Sequence, residues 1–79
     1  MDKITLYTLP TCPKCNALKK KLAAANIAFE IVDDAQAVLE FLKANEMSSE
    51  VPVLHIEGFE PMNFTQAWGW ASRQEGANG

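Results

Sequence analysis

The chain has 79 residues, 48% of them hydrophobic, and a formal net charge of −3. This composition suits one small domain with a modest core, and the acidic balance argues against a nucleic-acid-binding protein. No apolar run approaches the roughly 18 residues of a membrane span, and the first residues lack the basic and apolar regions of a signal peptide. We therefore expect a cytoplasmic monomer that does not associate with membranes.

The charge is unevenly distributed along the chain. Residues 1–21 contain five lysines and one acidic residue, whereas the remaining residues contain two basic and nine acidic ones. A positive segment of this kind favours anionic partners, such as an acidic patch on another protein. The pattern is also typical of a solvated helix face, which is the commoner reason for it.

The first part of the chain predicts a strand followed by a helix. Residues 3–8 alternate and are rich in β-branched and aromatic side chains, which is typical of a strand. Pro13 suits the first position of a helix, and Thr11 or Cys12 is placed to cap it. Asn26 suits the left-handed conformation that ends a helix. The apolar residues of this helix share one face: Cys15, Leu18, Leu22 and Ala25.

The middle of the chain predicts a second strand, a second helix and a third strand. The second strand covers residues 27–32, and the third covers residues 51–56. Between them, Asp33 and Gln36 have the spacing of a capping box at the start of the helix.

The last part predicts a hairpin and a third helix. A tight turn at Glu57-Gly58 leads into a short fourth strand over residues 59–62, antiparallel to the third. Asn63 or Thr65 is suited to cap the final helix. Its packed face is expected to carry Phe64, Trp68 and Ala71, whereas Trp70 is expected to lie on another face.

The order of elements is β-α-β-α-β-β-α, which predicts an α/β fold. The first two strands are expected to be parallel, because a helix connects them. The result is a four-stranded mixed sheet flanked by three helices. A single domain is expected over residues 1–75, and residues 76–79 are expected to form a flexible tail.

The segment Cys12-Pro13-Lys14-Cys15 contains the only two cysteines of the chain. A thiol in the first turn of a helix is close to backbone N–H groups without partners and to the positive end of the helix dipole, so its thiolate form is favoured. Cys15 belongs to the apolar face, whereas Cys12 lies at the tip of the helix. The spacing therefore predicts that Cys12 attacks a disulfide and that Cys15 resolves the mixed disulfide.

Two other interpretations of the cysteine pair are a metal site and a structural disulfide. A structural zinc site needs four ligands, and the chain offers one cysteine pair and one histidine, so a second chain would have to complete it. A permanent disulfide across so short a loop would stabilise the fold little. A strand followed by a helix is the setting in which this motif is typically redox-active.

The chain resembles the glutaredoxins, which have the thioredoxin fold. The resemblance runs from about Lys3 to Ser72 and rests on Tyr7-Thr8, the cysteine motif, Val51-Pro52 and the Glu57-Gly58 turn. It implies a thiol–disulfide oxidoreductase with no bound cofactor that acts on disulfide-containing proteins or on glutathione mixed disulfides. Glutathione is then a co-substrate, and an upstream reductase supplies the electrons.

The same resemblance implies roles for residues outside the cysteine motif. A cis bond before Pro52 would leave the Val51 backbone free to pair with substrate. Lys14 would attract the glycyl carboxylate of glutathione, and Asn63 or Thr65 would hydrogen-bond a carboxylate at the start of the last helix. The chain departs from the family at the γ-glutamyl site, where Met62, Asn63, Phe64 and Thr65 replace the usual glycines and aspartate.

Two further alternatives follow from related proteins. Gly58-Phe59-Glu60-Pro61 resembles, out of register, a segment of the NrdH-redoxins, which take electrons from thioredoxin reductase and pass them to ribonucleotide reductase. Some glutaredoxins instead hold an iron–sulfur cluster between two chains, and a zinc-binding module would be built similarly. Their motif usually lacks a proline at the position of Pro13.

Overall fold

A computed structural model describes residues 3–10, 12–47 and 51–78 of the chain. Strands and helices alternate along this part of the chain until the third strand, which is followed by a turn and the longest helix. Their bounds are β1 Ile4–Tyr7, α1 Pro13–Ala24, β2 Glu30–Val32, α2 Ala35–Ala44, β3 Val53–Ile56 and α3 Phe64–Asn78. None of these helices is long and apolar enough to cross a bilayer.

The strands form one mixed sheet with the order β2-β1-β3. The central strand β1 is parallel to β2 and antiparallel to β3, and Tyr7 lies opposite both Val32 and Val53. The parallel pairing follows from the α1 crossover between β1 and β2. The predicted mixed sheet is therefore present, but with three strands among the described residues.

Successive residues of β3 face opposite sides of the sheet and divide the core in two. On one side Leu54 packs with residues of β1, α1 and α3. On the other side Val53 packs with residues of α2. We call these the α1–α3 core, made of Leu6, Leu18, Leu22, Leu54, Ala67 and Ala71, and the α2 core, made of Val38, Leu42 and Val53.

The fourth strand predicted over residues 59–62 is reduced to a single bridge between Leu54 and Met62. The two residues exchange backbone hydrogen bonds of 2.9 and 2.8 Å. Gly58, with φ 91°, makes the predicted turn, but Phe59 and Glu60 after it are exposed. Pro61 has no N–H to donate to a ladder. The prediction of a four-stranded sheet was therefore wrong.

The other strands are shorter than predicted. The second begins at Glu30 rather than at residue 27, because residues 27–29 lie outside the three-residue pairing with β1. The third begins at Val53 rather than at residue 51. β1 is four residues long, from Ile4 to Tyr7, although Thr8 still donates its N–H to the carbonyl of Val32 at 2.9 Å.

The helix ends agree with the sequence in part. Asn26 has a φ of 58°, so the predicted left-handed stop of α1 is confirmed. The cap of α2 is Asp34, whose carboxylate accepts from Ala37 N–H at 3.0 Å, and not the predicted Asp33. α3 extends to Asn78 and so includes most of the segment 76–79 that the sequence predicts as a tail.

Candidate active site

The predicted site residues come from three segments that meet at one end of the sheet. β1 ends at Tyr7 beside Val53, so the cysteine loop after β1 and the Val51-Pro52 segment before β3 lie at the same end. Met62 pairs with Leu54 in an antiparallel bridge, so the chain at Met62 runs in the opposite direction to β3. The start of α3, which follows, therefore lies at the same end of the sheet. The topology therefore gathers residues that are about 50 positions apart in the sequence.

Cys12 is the N-cap of α1. Its backbone is extended, and its Sγ accepts a hydrogen bond of 3.2 Å from the backbone N–H of Cys15. The side chain is half-buried, so the sulfur is only partly covered. A cap position aims the first N–H groups of the helix at the sulfur, and such donors stabilise negative charge there. The alternative cap, Thr11, lies outside the described residues.

Cys15 lies one turn further along α1, with 1% of its surface exposed. The pKa of this thiol is raised from 9.0 to about 11, chiefly by burial and in addition by its hydrogen bond with the Cys12 side chain and by the charge of Cys12. A hydrogen bond from the Leu9 backbone and the positive charge of Lys19 act against these effects. Cys15 is therefore held as a neutral thiol beside Cys12 at neutral pH.

Lys14 lies between the two cysteines in sequence and is exposed. Its Nζ lies 5.8 Å from the centroid of the Phe64 ring, at the first residue of α3. The Phe64 ring in turn contacts Trp68, with the two centroids 5.7 Å apart. Lys14 thus links the start of α1 to the start of α3 by a cation–π contact.

Asn63 caps α3 through a reciprocal pair of hydrogen bonds with Gln66. The Asn63 side-chain oxygen accepts from Gln66 N–H at 2.8 Å, and the Gln66 side-chain oxygen accepts from Asn63 N–H at 3.0 Å. This is a capping box, which satisfies two backbone donors at a helix start. The predicted ligand oxygen of Asn63 is therefore engaged within the protein. Thr65, two residues further along the chain, is exposed.

Val51 and Pro52 form the third segment of the site. The peptide bond between them is cis, and Pro52 is buried. The half-buried Val51 side chain packs against the α2 core, which anchors this segment beside the end of the sheet. Within the described residues, neither backbone group of Val51 takes part in a hydrogen bond.

The cysteine pair supplies the thiolate ligands that the described residues offer to a soft metal. Among residues 3–10, 12–47 and 51–78, no three His, Cys, Asp or Glu side chains are grouped closely enough to hold a metal ion. A cluster or zinc ion bound through Cys12 would need ligands from outside this part of the chain.

Comparison with known sequences identifies the family. Residues 4–59 match the sequence profile of the glutaredoxins, and this span includes both cysteines and the Val51-Pro52 segment. The chain belongs to the glutaredoxin family. It is 35% identical over 66 residues to a Clostridium pasteurianum protein described as an uncharacterized glutaredoxin-like 8.6 kDa protein in rubredoxin operon. The match covers 81% of this chain and 88% of that relative.

The profile match of this glutaredoxin ends at residue 59, before α3 begins. Two aromatic residues of α3 are placed differently from the sequence prediction. Trp68, which was assigned to the packed face, is 39% exposed, whereas Trp70 packs against the α1–α3 core. The buried stripe of α3 is made of Ala67 and Ala71. Phe64 packs against the same core as predicted, and the spacing of four residues between Ala67 and Ala71 was the signal that could have placed Trp68 at the edge.

Proposed function

We propose that this glutaredoxin is a dithiol oxidoreductase that reduces protein or glutathione mixed disulfides. The observation that carries the proposal is the pair of thiols at the start of α1. Cys12 is partly accessible and accepts a backbone hydrogen bond, and the buried Cys15 lies three residues behind it. That arrangement supplies one thiol for attack from outside and one that only Cys12 can reach.

The reaction transfers two electrons in two exchange steps. The Cys12 thiolate attacks one sulfur of the substrate disulfide; that S–S bond breaks, and the other sulfur leaves as a thiolate that takes up a proton. Cys15 then loses its proton and attacks the Cys12 sulfur. The bond between Cys12 and the substrate breaks, the second substrate thiol leaves, and a Cys12–Cys15 disulfide remains. An external thiol or dithiol reductant reopens it.

The coupling between the two cysteines gives these steps an order. In the reduced protein, the hydrogen bond with Cys12 and its charge both raise the pKa of Cys15, in addition to burial. Once Cys12 is in a mixed disulfide it carries no charge, so both contributions decrease. Cys15 is then easier to deprotonate than before, which favours its attack at the moment when it is needed.

Substrate binding follows from the three segments at this end of the sheet. We assign the backbone N–H and C=O of Val51, beside Pro52, to an extended segment of the substrate. Lys14 and Thr65 are exposed and are assigned to its carboxylates. Asn63 contributes by holding the first turn of α3 in place. No bound cofactor is required, glutathione acts as a co-substrate, and the protein works in the cytoplasm as a monomer.

The test uses single cysteine variants and a protein disulfide whose reduced form is easily quantified. Cys12→Ser is expected to abolish reduction. Cys15→Ser is expected to accumulate a covalent adduct with the substrate that mass spectrometry detects and dithiothreitol releases. Rapid turnover of the protein disulfide by Cys15→Ser would contradict the role of Cys15, and full activity of Cys12→Ser would contradict the whole proposal.

A second candidate concerns the reductant and places the protein closer to the NrdH-redoxins. Two observations at the start of α3 favour it. The Asn63 oxygen is used in the capping box, and the Phe64 ring lies beneath Lys14. Both contacts engage polar groups of α1 and α3 that would otherwise be free to bind glutathione. In this version a thioredoxin reductase reopens the disulfide, and ribonucleotide reductase is a downstream acceptor.

Two coupled assays separate the reductants. Both contain a protein disulfide in excess as the final electron acceptor; in one, NADPH, glutathione reductase and glutathione regenerate the protein, and in the other, NADPH and thioredoxin reductase do so. NADPH oxidation in the first assay alone supports the glutathione-coupled enzyme, and oxidation in the second alone supports the NrdH-like one. Cys12→Ser, added in place of the wild type, gives the background in both.

A further inference from the structure

Two aromatic rings, flanked by a lysine at each end, form a strip that runs from near the cysteines along the junction between α1 and α3. Its members are Lys14, Phe64, Trp68 and Lys21, and we call it the α1–α3 ridge. Lys14 contacts Phe64, Phe64 contacts Trp68, and Lys21 Nζ lies 4.9 Å from the centroid of the Trp68 ring. The ridge begins two residues from Cys12 and is continuous with the proposed site.

Internal contacts hold the far end of the ridge. Lys21 Nζ forms an ion pair of 2.8 Å with Glu75, and the two side chains are 17% and 34% exposed. The same ammonium group lies over Trp68, so the indole has a fixed neighbour on its α1 side. Trp68 is nevertheless 39% exposed, which leaves a large apolar surface at this end of the ridge.

The charge around the ridge is positive on a protein that is otherwise acidic. α1 contains four lysines and no acidic residue. Lys21 is paired with Glu75, but Lys14 and Lys20 form no ion pair with any of the described residues. The chain as a whole carries −3, so an acidic partner is attracted to this face and repelled elsewhere.

We propose that the α1–α3 ridge binds the polypeptide flanking the disulfide of a protein substrate, and that this flanking segment is acidic and contains apolar side chains. This inference rests on the proposed oxidoreductase function and specifies its partner. Carboxylates of the segment meet Lys14 and the neighbouring lysines of α1. Its apolar side chains cover Phe64 and Trp68. Aromatic residues beside charges are typical anchors of protein interfaces.

The probes are three short peptides, each with one cysteine as a 2-pyridyl disulfide. Leucine flanks the cysteine in all three. The other flanking residues are glutamate in the acidic peptide, lysine in the basic peptide and glutamine in the neutral one. Attack by Cys12 on the peptide sulfur breaks the S–S bond, forms the peptide–Cys12 disulfide and releases 2-thiopyridone, whose absorbance gives the rate constant. The leaving group is the same in every case, so the ratios between peptides report recognition of the flanks.

At low ionic strength the wild type is expected to react about tenfold faster with the acidic peptide than with the basic one. At about 0.5 M salt the preference is expected to fall to about twofold. Lys14→Glu is expected to lower or reverse the preference, whereas Lys43→Glu, an exposed charge change in the last turn of α2, is expected to preserve it. Equal rates for the acidic and basic peptides, or equal effects of the two variants, would overturn the proposal.

The aromatic part of the ridge has its own control. Trp68→Ala is expected to slow reaction of the acidic peptide about fivefold. Leu39→Ala removes a similarly exposed apolar side chain, 43% exposed on α2, and is expected to have no effect. A wild-type dimer that dissociates on Trp68→Ala in sedimentation would instead show that a second copy covers the ridge, and would overturn the proposal. If wild type and Cys12→Ser release thiopyridone equally slowly from all three peptides, the oxidoreductase function itself fails.

Discussion

At the scale of single residues, the contrast between the two cysteines is the main result. They are three positions apart, yet Cys12 caps the helix with its sulfur partly open, and Cys15 is 1% exposed. They are separated because Cys15 lies on the buried face of α1 with Leu18 and Leu22, whereas Cys12 precedes the first helical residue and has an extended backbone. The different exposure of the two thiols is thus a consequence of where α1 begins, and it supports the proposed roles of attacking and resolving thiol.

The raised pKa of Cys15 predicts how the stability of the reduced protein depends on pH. The folded thiol ionises near pH 11, whereas the unfolded one ionises near pH 9, so the unfolded state loses its proton first. The stabilising effect is fully present below pH 9 and is lost as the pH rises towards 11. The loss is at most about 3 kcal/mol in the free energy of unfolding.

Urea denaturation under reducing conditions at several pH values between 8 and 11 measures this loss. The quantity to follow is the difference between wild type and Cys15→Ala, because the subtraction removes the contributions of all other groups. That difference is expected to shrink as the pH rises above 9. Parallel curves for the two proteins would show that Cys15 ionises no differently in the folded and unfolded states.

At the scale of elements, local patterns predicted most of the fold. The alternation of residues 3–8, the proline at the start of α1 and the left-handed Asn26 are each local signals, and each element is present. The prediction of a fourth strand failed because a strand forms only where a neighbouring strand pairs with it. Pro61 and the exposed residues after Gly58 allow only one bridge. The cysteine motif was likewise evident from spacing, whereas the Lys14–Phe64 contact depends on how α1 packs on α3.

The helix α3 also shows why large side chains mislead a sequence prediction. Phe64 and Trp68 are four residues apart and look like a packed face. The residues that approach the core most closely are Ala67 and Ala71, because small side chains let the helix lie close to β1 and α1. Phe64 packs against the same core, whereas Trp68 lies on the flank towards α1 and Trp70 on the other side. The size of Trp68 suggested burial, but its position on the helix leaves the side chain 39% exposed.

The capping box at the start of α3 can be separated from substrate binding by mutation. Asn63→Ala is expected to lower the free energy of unfolding by about 1 kcal/mol, because Gln66 N–H loses its acceptor. Asn63→Asp keeps an acceptor and is expected to retain most of the stability. Thermal unfolding measures both, with Thr65→Ala as the matched control in the same turn. If Asn63→Ala were as stable as Thr65→Ala, Asn63 would be free to act as a substrate ligand.

At the scale of the whole molecule, one small sheet supports two separate cores and the redox site. β3 contributes Leu54 to the α1–α3 core and Val53 to the α2 core. The same strand lies directly after the Val51-Pro52 segment, and its bridge to Met62 leads into α3. Packing on either side of β3 therefore determines where all three segments of the site lie relative to one another.

This arrangement predicts that Leu54 is among the most sensitive positions of the chain. Its side chain is 0% exposed, and Leu54→Ala is expected to cost about 3 kcal/mol through lost burial and a cavity. A domain of this length has a total stability of only about 4–12 kcal/mol, so the midpoint of thermal unfolding should fall by more than about 10 °C. Leu39→Ala, at a position that is 43% exposed, should change it little. Equal midpoints for the two variants would mean that the α1–α3 core does not hold the sheet and the site together.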